Sequence, residues 1–302
     1  MSAYLFVHFT GEHENGEQIY FSVSKDGLHF TDLNNGRPVL ISNIGTKGVR
    51  DPFIVRNTDT GRYYLIATDL RIGSGTSWSD AVSKGSKDIV VWSSTDLLSW
   101  DGPRSCAVGI PEAGCVWAPE AVYDENTKSF LVFFASNVRY QNESEAKQRI
   151  YCVKTQDFIS FSSPEIYMER DHHVIDSTVI KDRGKYYRIS KNETTKKLEM
   201  EVSDSLYNGF KPVISQTLND IPGLEGPECY LLPDGKTWCL IADRFAKGLG
   251  YFPMLTTDLA SGNFTVLDET KYDLGQSKKR HGGVIIISDE EYTSLNNTFN
   301  KT

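Results

Sequence analysis

The sequence predicts an all-β fold, a single five-bladed β-propeller over residues 1–302, closed by pairing of its N- and C-terminal strands. Three observations predict it. A short motif recurs five times, strand-like segments each follow a polar turn, and the two chain ends complete one another.

The motif is a strand ending in a small polar residue, then Asp, an apolar residue and an aromatic three or four residues later. Its copies are SKDGLHF, SSTDLLSW, KTQDFISF, SDSLYNGF and TTDLASGNF, with marker residues Asp26, Asp96, Asp157, Asp204 and Asp258. The markers recur at intervals of 47 to 70 residues, the length of a four-stranded blade with its loops. Along the chain, Tyr4–Phe9 and Gln18–Val23 lead into the first marker. Tyr63–Thr68, Phe130–Ala135, Tyr186–Ser190 and Trp238–Ala242 are rich in β-branched and aromatic residues and follow DTGR, DENTK, DRGK and PDGK. Apolar Gly283–Ser288 has no strand after it to pair with. Placed innermost beside the N-terminal strands, it closes the ring and removes exposed edges. No ten-residue stretch has a convincing helical period, so the fold reads as all-β. A β-sandwich is the structural alternative, but it leaves five similar turns unexplained.

Hydrophobic residues at 39% and charged residues at 24% mark a folded chain. A net charge of −8 repels phosphate backbones, so no nucleic-acid partner is expected. No apolar run approaches a membrane span, so no membrane partner is expected either. The start, MSAYLFVHFTGEHE, lacks a basic region and a long apolar run. The expected location is therefore cytoplasmic as the chain stands, or secreted if a leader has been removed. Five cysteines without CxxC spacing read as buried thiols. Cys229 and Cys239 flank an expected hairpin, which leaves one disulfide open.

A propeller's axial cavity is lined by the beginnings of its innermost strands. These are Asp51 in GVRDPFIV, Trp117 in CVWAPEAVY, Asp176 in HVIDSTVI, Glu225 in GLEGPECYLL and His281 in RHGGVIII, at intervals of 49 to 66 residues. Each blade thus offers a functional residue in the same phase. Three are acids, the set that inverting sugar hydrolysis needs: two carboxyls across the sugar and a third to raise the acid's pKa. Asp176 in an apolar strand reads otherwise as a structural acid, and Asp51 as a turn residue. Glu228 rivals Glu225, but residues three apart on a regular strand face opposite sides, so only one of the two is expected to point inward. Trp117 and Trp78 are candidate sugar platforms, with packing the alternative. Asp69 and Arg244 end second strands and are candidates to reach the cavity. Arg50 and Glu120 adjoin the motifs and either orient the acids or pair with other charges.

The ordered set RDP, WAPE, ID, EGP and HGG resembles glycoside hydrolase family 43 over essentially the whole chain. The resemblance implies a five-bladed propeller acting on arabinose- or xylose-containing oligo- or polysaccharides. It implies Asp51 as general base, Asp176 as the residue that tunes and orients the acid, and Glu225 as general acid. It also places His281 on the axis near a calcium or other ion, although no cofactor is required. A hydrogen-bonded core histidine is the other reading. RDP with a Glu-Cys pair is also similar to the fructan-cleaving family 32, but the NDPNG-like segment of that family is absent. YLFVHFTGE, ATDLRIG and GCVWAPEAVYD look most like exo-α-1,5-L-arabinofuranosidases, which release terminal L-arabinofuranose. β-Xylosidase, endo-arabinanase and a non-catalytic glycan-binding propeller are the alternatives. The loops Gly73–Lys87 and Asn137–Lys147 are expected to close one end of the pocket. Oligomeric state is not readable.

Overall fold

The computed structural model describes residues 2–300. Five antiparallel four-stranded sheets form a ring. From the axis outward, the first blade is β20 (Arg280–Ser288), β1 (Ser2–Phe9), β2 (Tyr20–Ser24) and β3 (Phe30–Asp32). The second is β4 (Val49–Arg56), β5 (Tyr63–Asp69), β6 (Asp88–Ser94) and β7 (Asp101–Ala107). The third is β8 (Trp117–Asp124), β9 (Ser129–Val138), β10 (Lys147–Thr155) and β11 (Glu165–Met168). The fourth is β12 (Val174–Asp182), β13 (Lys185–Asn192), β14 (Lys197–Ser203) and β15 (Lys211–Val213). The fifth is β16 (Glu225–Leu231), β17 (Trp238–Asp243), β18 (Tyr251–Thr256) and β19 (Thr265–Val266). Closure is as expected: β20 pairs with β1 from Ser2↔Ser288 to Phe9↔Arg280.

The recurring motif is a turn with a mechanism. Asp26 Oδ1 accepts the N–H groups of Leu28 and His29, both at 2.8 Å, and Ser24 Oγ accepts that of Gly27 at 2.9 Å. Asp96 and Ser94 repeat this in the second blade, and Asp157 and Thr155 in the third. The side chains satisfy N–H groups that the turn takes out of the ladder. In the fourth blade Asp204 instead pairs with Lys185, and the hydroxyls of Ser203 and Ser205 cap the turn.

The second strands read as continuous apolar runs because each is covered on both faces. On β5, Tyr63, Leu65 and Ala67 pack toward the first blade, whereas Tyr64 and Ile66 pack toward the third. On β9, Phe130, Val132 and Phe134 face the second blade, and Leu131, Phe133 and Ala135 the fourth. Each such side chain contributes roughly 1.5–3 kcal/mol by leaving water. The same alternation rules out the disulfide: Cys229 lies opposite Leu240, and Cys239 opposite Tyr230. Their side chains enter different packing clusters, and all five cysteines are free.

A few helices accompany the all-β ring. α1 (Trp78–Ser83) and α2 (Gln216–Asp220) are short, but α3 (Asp289–Phe299) runs eleven residues after β20. It starts at a Ser288/Glu291 capping box, buries Leu295 and packs Tyr292 and Phe299 against the first-blade core. Its apolar stripe has only these three members among polar neighbours, so periodicity missed it; the S-x-x-E pattern was the available signal. Among the described residues no helix is long and apolar enough to cross a membrane.

Candidate active site

Each innermost strand carries one extra residue, a β-bulge. The pairing shifts between Arg50 and Phe53, Trp117 and Glu120, Ile175 and Ser177, and Glu225 and Glu228. In the first blade it shifts where His281 is inserted opposite His8 and Phe9. Four extra residues adopt left-handed backbone: Asp51 (φ 50), Ala118 (φ 47), Asp176 (φ 50) and Gly226 (φ 54). The bulge explains RDP, WAP and EGP as physical motifs. Proline has no N–H to give the ladder, so it belongs where the ladder is broken. Gly226 is required twice over, by its φ and because a Cβ there would sit 2.5 Å from His281 Cγ.

The bulge also corrects the phase read from sequence. Asp51 and Asp176 are the extra residues themselves, whereas Trp117 and Glu225 stand one residue earlier, in phase with Arg50, Ile175 and Arg280. All seven line one cavity of about 570 Å³ at the axis. The inserted residue further undoes the argument that Glu225 and Glu228 must face opposite ways. Glu225 lines the cavity, while Glu228 is buried a layer deeper, where its Oε1 accepts the Val284 N–H at 2.8 Å.

The three expected acids meet in the cavity. Asp51 Oδ2 accepts the Thr68 hydroxyl at 2.9 Å. Burial alone would raise its pKa, but His281, Arg50 and Thr68 outweigh that and hold it below the ordinary carboxylate value. Asp176 Oδ2 accepts the Gly226 N–H at 3.1 Å. Burial, helped by the charges of Glu225 and Asp51 and opposed by His281 and Lys191, pushes its carboxyl up to about 6. Glu225 accepts from Lys191 Nζ at Oε2 and from Arg280 Nη2 at Oε1, both at 2.9 Å.

His281 lies beneath them, 5% exposed. Nδ1 is 3.5 Å from Asp51 and 3.8 Å from Asp176, and Nε2 is 4.0 Å from Glu120. Burial disfavours the charged ring, yet the carboxylates of Asp176, Asp51 and Glu120 hold its pKa well above the usual histidine value. Among the described residues no group of three or more His, Cys, Asp and Glu is arranged to hold a metal ion. His281 therefore fits the bridging cation of a carboxylate cluster better than a direct ligand of an axial ion, and no chemical step is assigned to such an ion.

Trp117 lines the cavity, and Trp78 stands edge-on to it at 6.2 Å, about half exposed at the mouth. Of the two expected loops, only the segment carrying α1 supplies wall residues, namely Trp78, Ser79 and Val82. Asn137, at the edge of the other loop, braces α1 through the Val82 carbonyl. Two expected residues are drawn elsewhere. Asp69 accepts the backbone N–H and hydroxyl of Thr46, both at 2.8 Å, and holds the loop before β4. Arg244 pairs with Glu269 at 3.1 Å and lies over Phe252.

Sequence reasoning named Arg50 but missed the rest of the cationic wall, Arg280 and Lys191. Arg50 is held by Glu12 at 2.7 Å and Glu17 at 3.0 Å, with its guanidinium over Phe9 and Trp78. Arg280 joins Glu225 to Asp243, and Lys191, Glu193 and Phe245 complete the far side. Arg280 was findable once the bulge phase was known. Lys191 comes from a second strand, and nothing local to it signals the site.

A family profile described as a probable glycosyl hydrolase domain, of the family 43-related type, matches residues 1–293. The chain belongs to the family 43-related glycosyl hydrolases. This glycosyl hydrolase is 35% identical over 212 residues to an α-L-arabinofuranosidase of Bifidobacterium longum subsp. longum, a match covering 64% of this chain. It spans only 20% of that relative's length. Among solved structures, a family 43 β-1,3-galactosidase with bound galactodeoxynojirimycin superposes with TM-score 0.61 at 12% identity, over 89% of this chain and 91% of the other. An endo-1,4-β-xylanase from Bacteroides thetaiotaomicron gives TM-score 0.58 at 14% identity, over 88% and 90%. At these identities the two structures establish that the glycosyl hydrolase has their fold.

Proposed function

We propose that this glycosyl hydrolase releases terminal α-L-arabinofuranose from arabinan or arabino-oligosaccharides with inversion of configuration. The observation that carries the sugar is the 35% identity to the Bifidobacterium arabinofuranosidase. The cavity supports the mechanism. Asp51, biased toward its ionised form, takes a proton from water as the water oxygen attacks the anomeric carbon. Glu225 gives its proton to the glycosidic oxygen as the bond breaks and the electron pair stays on that oxygen. Asp176, close to both charges, orients the acid and tunes its proton affinity. Exo action is supported by the α1 segment, whose Trp78, Ser79 and Val82 wall the cavity on one side. Trp78 at the mouth offers an apolar face to the sugar that follows the scissile bond.

A panel of nitrophenyl glycosides and short arabinan fragments tests the reading. α-L-Arabinofuranosides should be cleaved faster than β-D-xylopyranosides, single arabinose units should appear first, and NMR should show the first-formed sugar with the opposite anomeric configuration. Dominant xylose release would make the protein a β-xylosidase, and mid-chain fragments would make it an endo-arabinanase. Retention of configuration would overturn the mechanism, and no hydrolysis of any glycoside would leave a glycan-binding propeller.

A further inference from the structure

Glu225 is held by two cations, Lys191 and Arg280, and the tie from Lys191 is the unusual one. Lys191 is 2% exposed and sits on β13 opposite Ile175, so its ammonium emerges beside the bulge that carries Asp176. Nζ is 2.9 Å from Glu225 Oε2 and 2.7 Å from Glu193 Oε2, and lies over the Phe245 ring at 4.1 Å. A lysine so buried persists as a cation only where anions compensate it. Burial opposes its charge, but Glu225, Asp176 and Glu193 hold its pKa above the usual lysine value.

We propose that Lys191 is a positioning residue for Glu225: it aims the carboxyl into the cavity and, shared with Glu193, sets the pH range in which Glu225 can still deliver a proton. This rests on Glu225 being the general acid. In the acid step the Glu225 O–H bond breaks, the proton goes to the glycosidic oxygen, and that oxygen keeps the electron pair of the broken C–O bond. Lys191 therefore faces a neutral carboxyl before the step and a carboxylate after it. Its attraction grows along the reaction, which stabilises the transition state. Each carboxyl oxygen has two lone pairs, so a protonated Glu225 still accepts from both cations. Glu193 takes part of the ammonium's charge and so limits that attraction. The other charges around Glu225 are Arg280 and His281 on β20, Asp176 on β12, Asp51 on β4, and Asp243 on β17, which binds Arg280. The hairpin that carries Lys191 also supplies Glu193, whose other oxygen pairs with Lys196 of the same hairpin.

The test compares wild type, Lys191→Met, Glu193→Gln and Glu225→Gln on a dinitrophenyl and an alkyl α-L-arabinofuranoside across pH. The dinitrophenyl group leaves without help from an acid, whereas the alkoxide does not. Lys191→Met should lose roughly tenfold or more on the alkyl substrate while nearly sparing the dinitrophenyl one, and should move the alkaline limb of kcat/KM to higher pH. Glu193→Gln leaves the buried lysine in place and should move that limb to lower pH, so it decides the matter even if Lys191→Met does not fold. An alkaline limb unmoved in Glu193→Gln or in folded Lys191→Met overturns the proposal, provided Glu225→Gln shows the leaving-group-dependent loss. If Glu225→Gln loses equally on both substrates, the assignment of the acid fails, and this role of Lys191 fails with it.

Discussion

Asp51 and Asp176 occupy the same bulge position on the innermost strands of the second and fourth blades, with φ 50 in both, and their carboxyls are driven in opposite directions. Both are buried, and both lie within 4 Å of the His281 ring. The difference is in what else faces them. Asp51 follows Arg50 and accepts the Thr68 hydroxyl, so its ionised form is favoured. Asp176 follows apolar Ile175, accepts one backbone N–H, and faces the charges of Glu225 and Asp51, so its neutral form is favoured up to about pH 6. Backbone geometry delivers both carboxyls to the axis. Their neighbours then separate a carboxyl held ionised from one held neutral, the two proposed as base and tuning residue.

The comparison can be broken most severely at Asp51. Asp51→Asn keeps the shape and removes the base, and kcat should fall by roughly 10³–10⁴ at every pH, measured on a nitrophenyl arabinofuranoside with circular dichroism to confirm the fold. Activity within tenfold of wild type would mean that the ionised member of the pair is not the base. Asp176→Asn should cost less, roughly 10² in kcat, and the loss should depend on pH. Wild-type Asp176 is largely neutral below pH 6, so the gap to the variant should narrow at pH 5 and widen at pH 8. A constant gap would show that only its hydrogen bond matters.

One layer down, Glu120 sharpens the contrast through stability. Burial is the main reason its pKa is pushed up to about 7, and one oxygen has no hydrogen-bond partner. A carboxyl whose pKa is raised on folding adds stability that is complete below its unfolded pKa and is lost as pH rises through the folded value. The protein should therefore melt at lower temperature at pH 8 than at pH 5. Glu120→Gln should flatten that slope by at most about 3 kcal/mol, read from thermal unfolding at a series of pH values. An unchanged slope would place the titration elsewhere.

The smallest expected effect is at Thr68. Thr68→Val removes the hydroxyl that donates to Asp51 and accepts the Ala118 N–H at 2.7 Å. Asp51 then loses a hydrogen bond to its charged form, so the acid limb of kcat/KM should move to higher pH. Activity near pH 5 should drop only a few-fold, and unfolding should become easier by about 1–3 kcal/mol from the orphaned N–H.

The ring, its five blades and its closure were legible because they rest on local chemistry. The Asp and Ser or Thr of each turn cap their own backbone, and strands covered on both faces must be apolar throughout. Asp51 and Glu225 were legible because a bulge proline, with a glycine beside Glu225, marks their places, and Asp176 because it interrupts an apolar strand. Glu228 and the exact phase were misread because a strand was assumed regular, and one inserted residue turns every later side chain to the other face. Asp69 and Arg244 were drawn away by Thr46 and Glu269, partners 23 and 25 residues distant. The sequence by itself thus determined the architecture, the family likeness and the identity of the carboxyls. Only the tertiary structure decided their charges and their guards. Lys191, Arg280, Arg50 and His281 reach the acids from three strands, one in each of three blades. The electrostatic effect of a buried charge depends on distances that the chain sets only once the ring is closed.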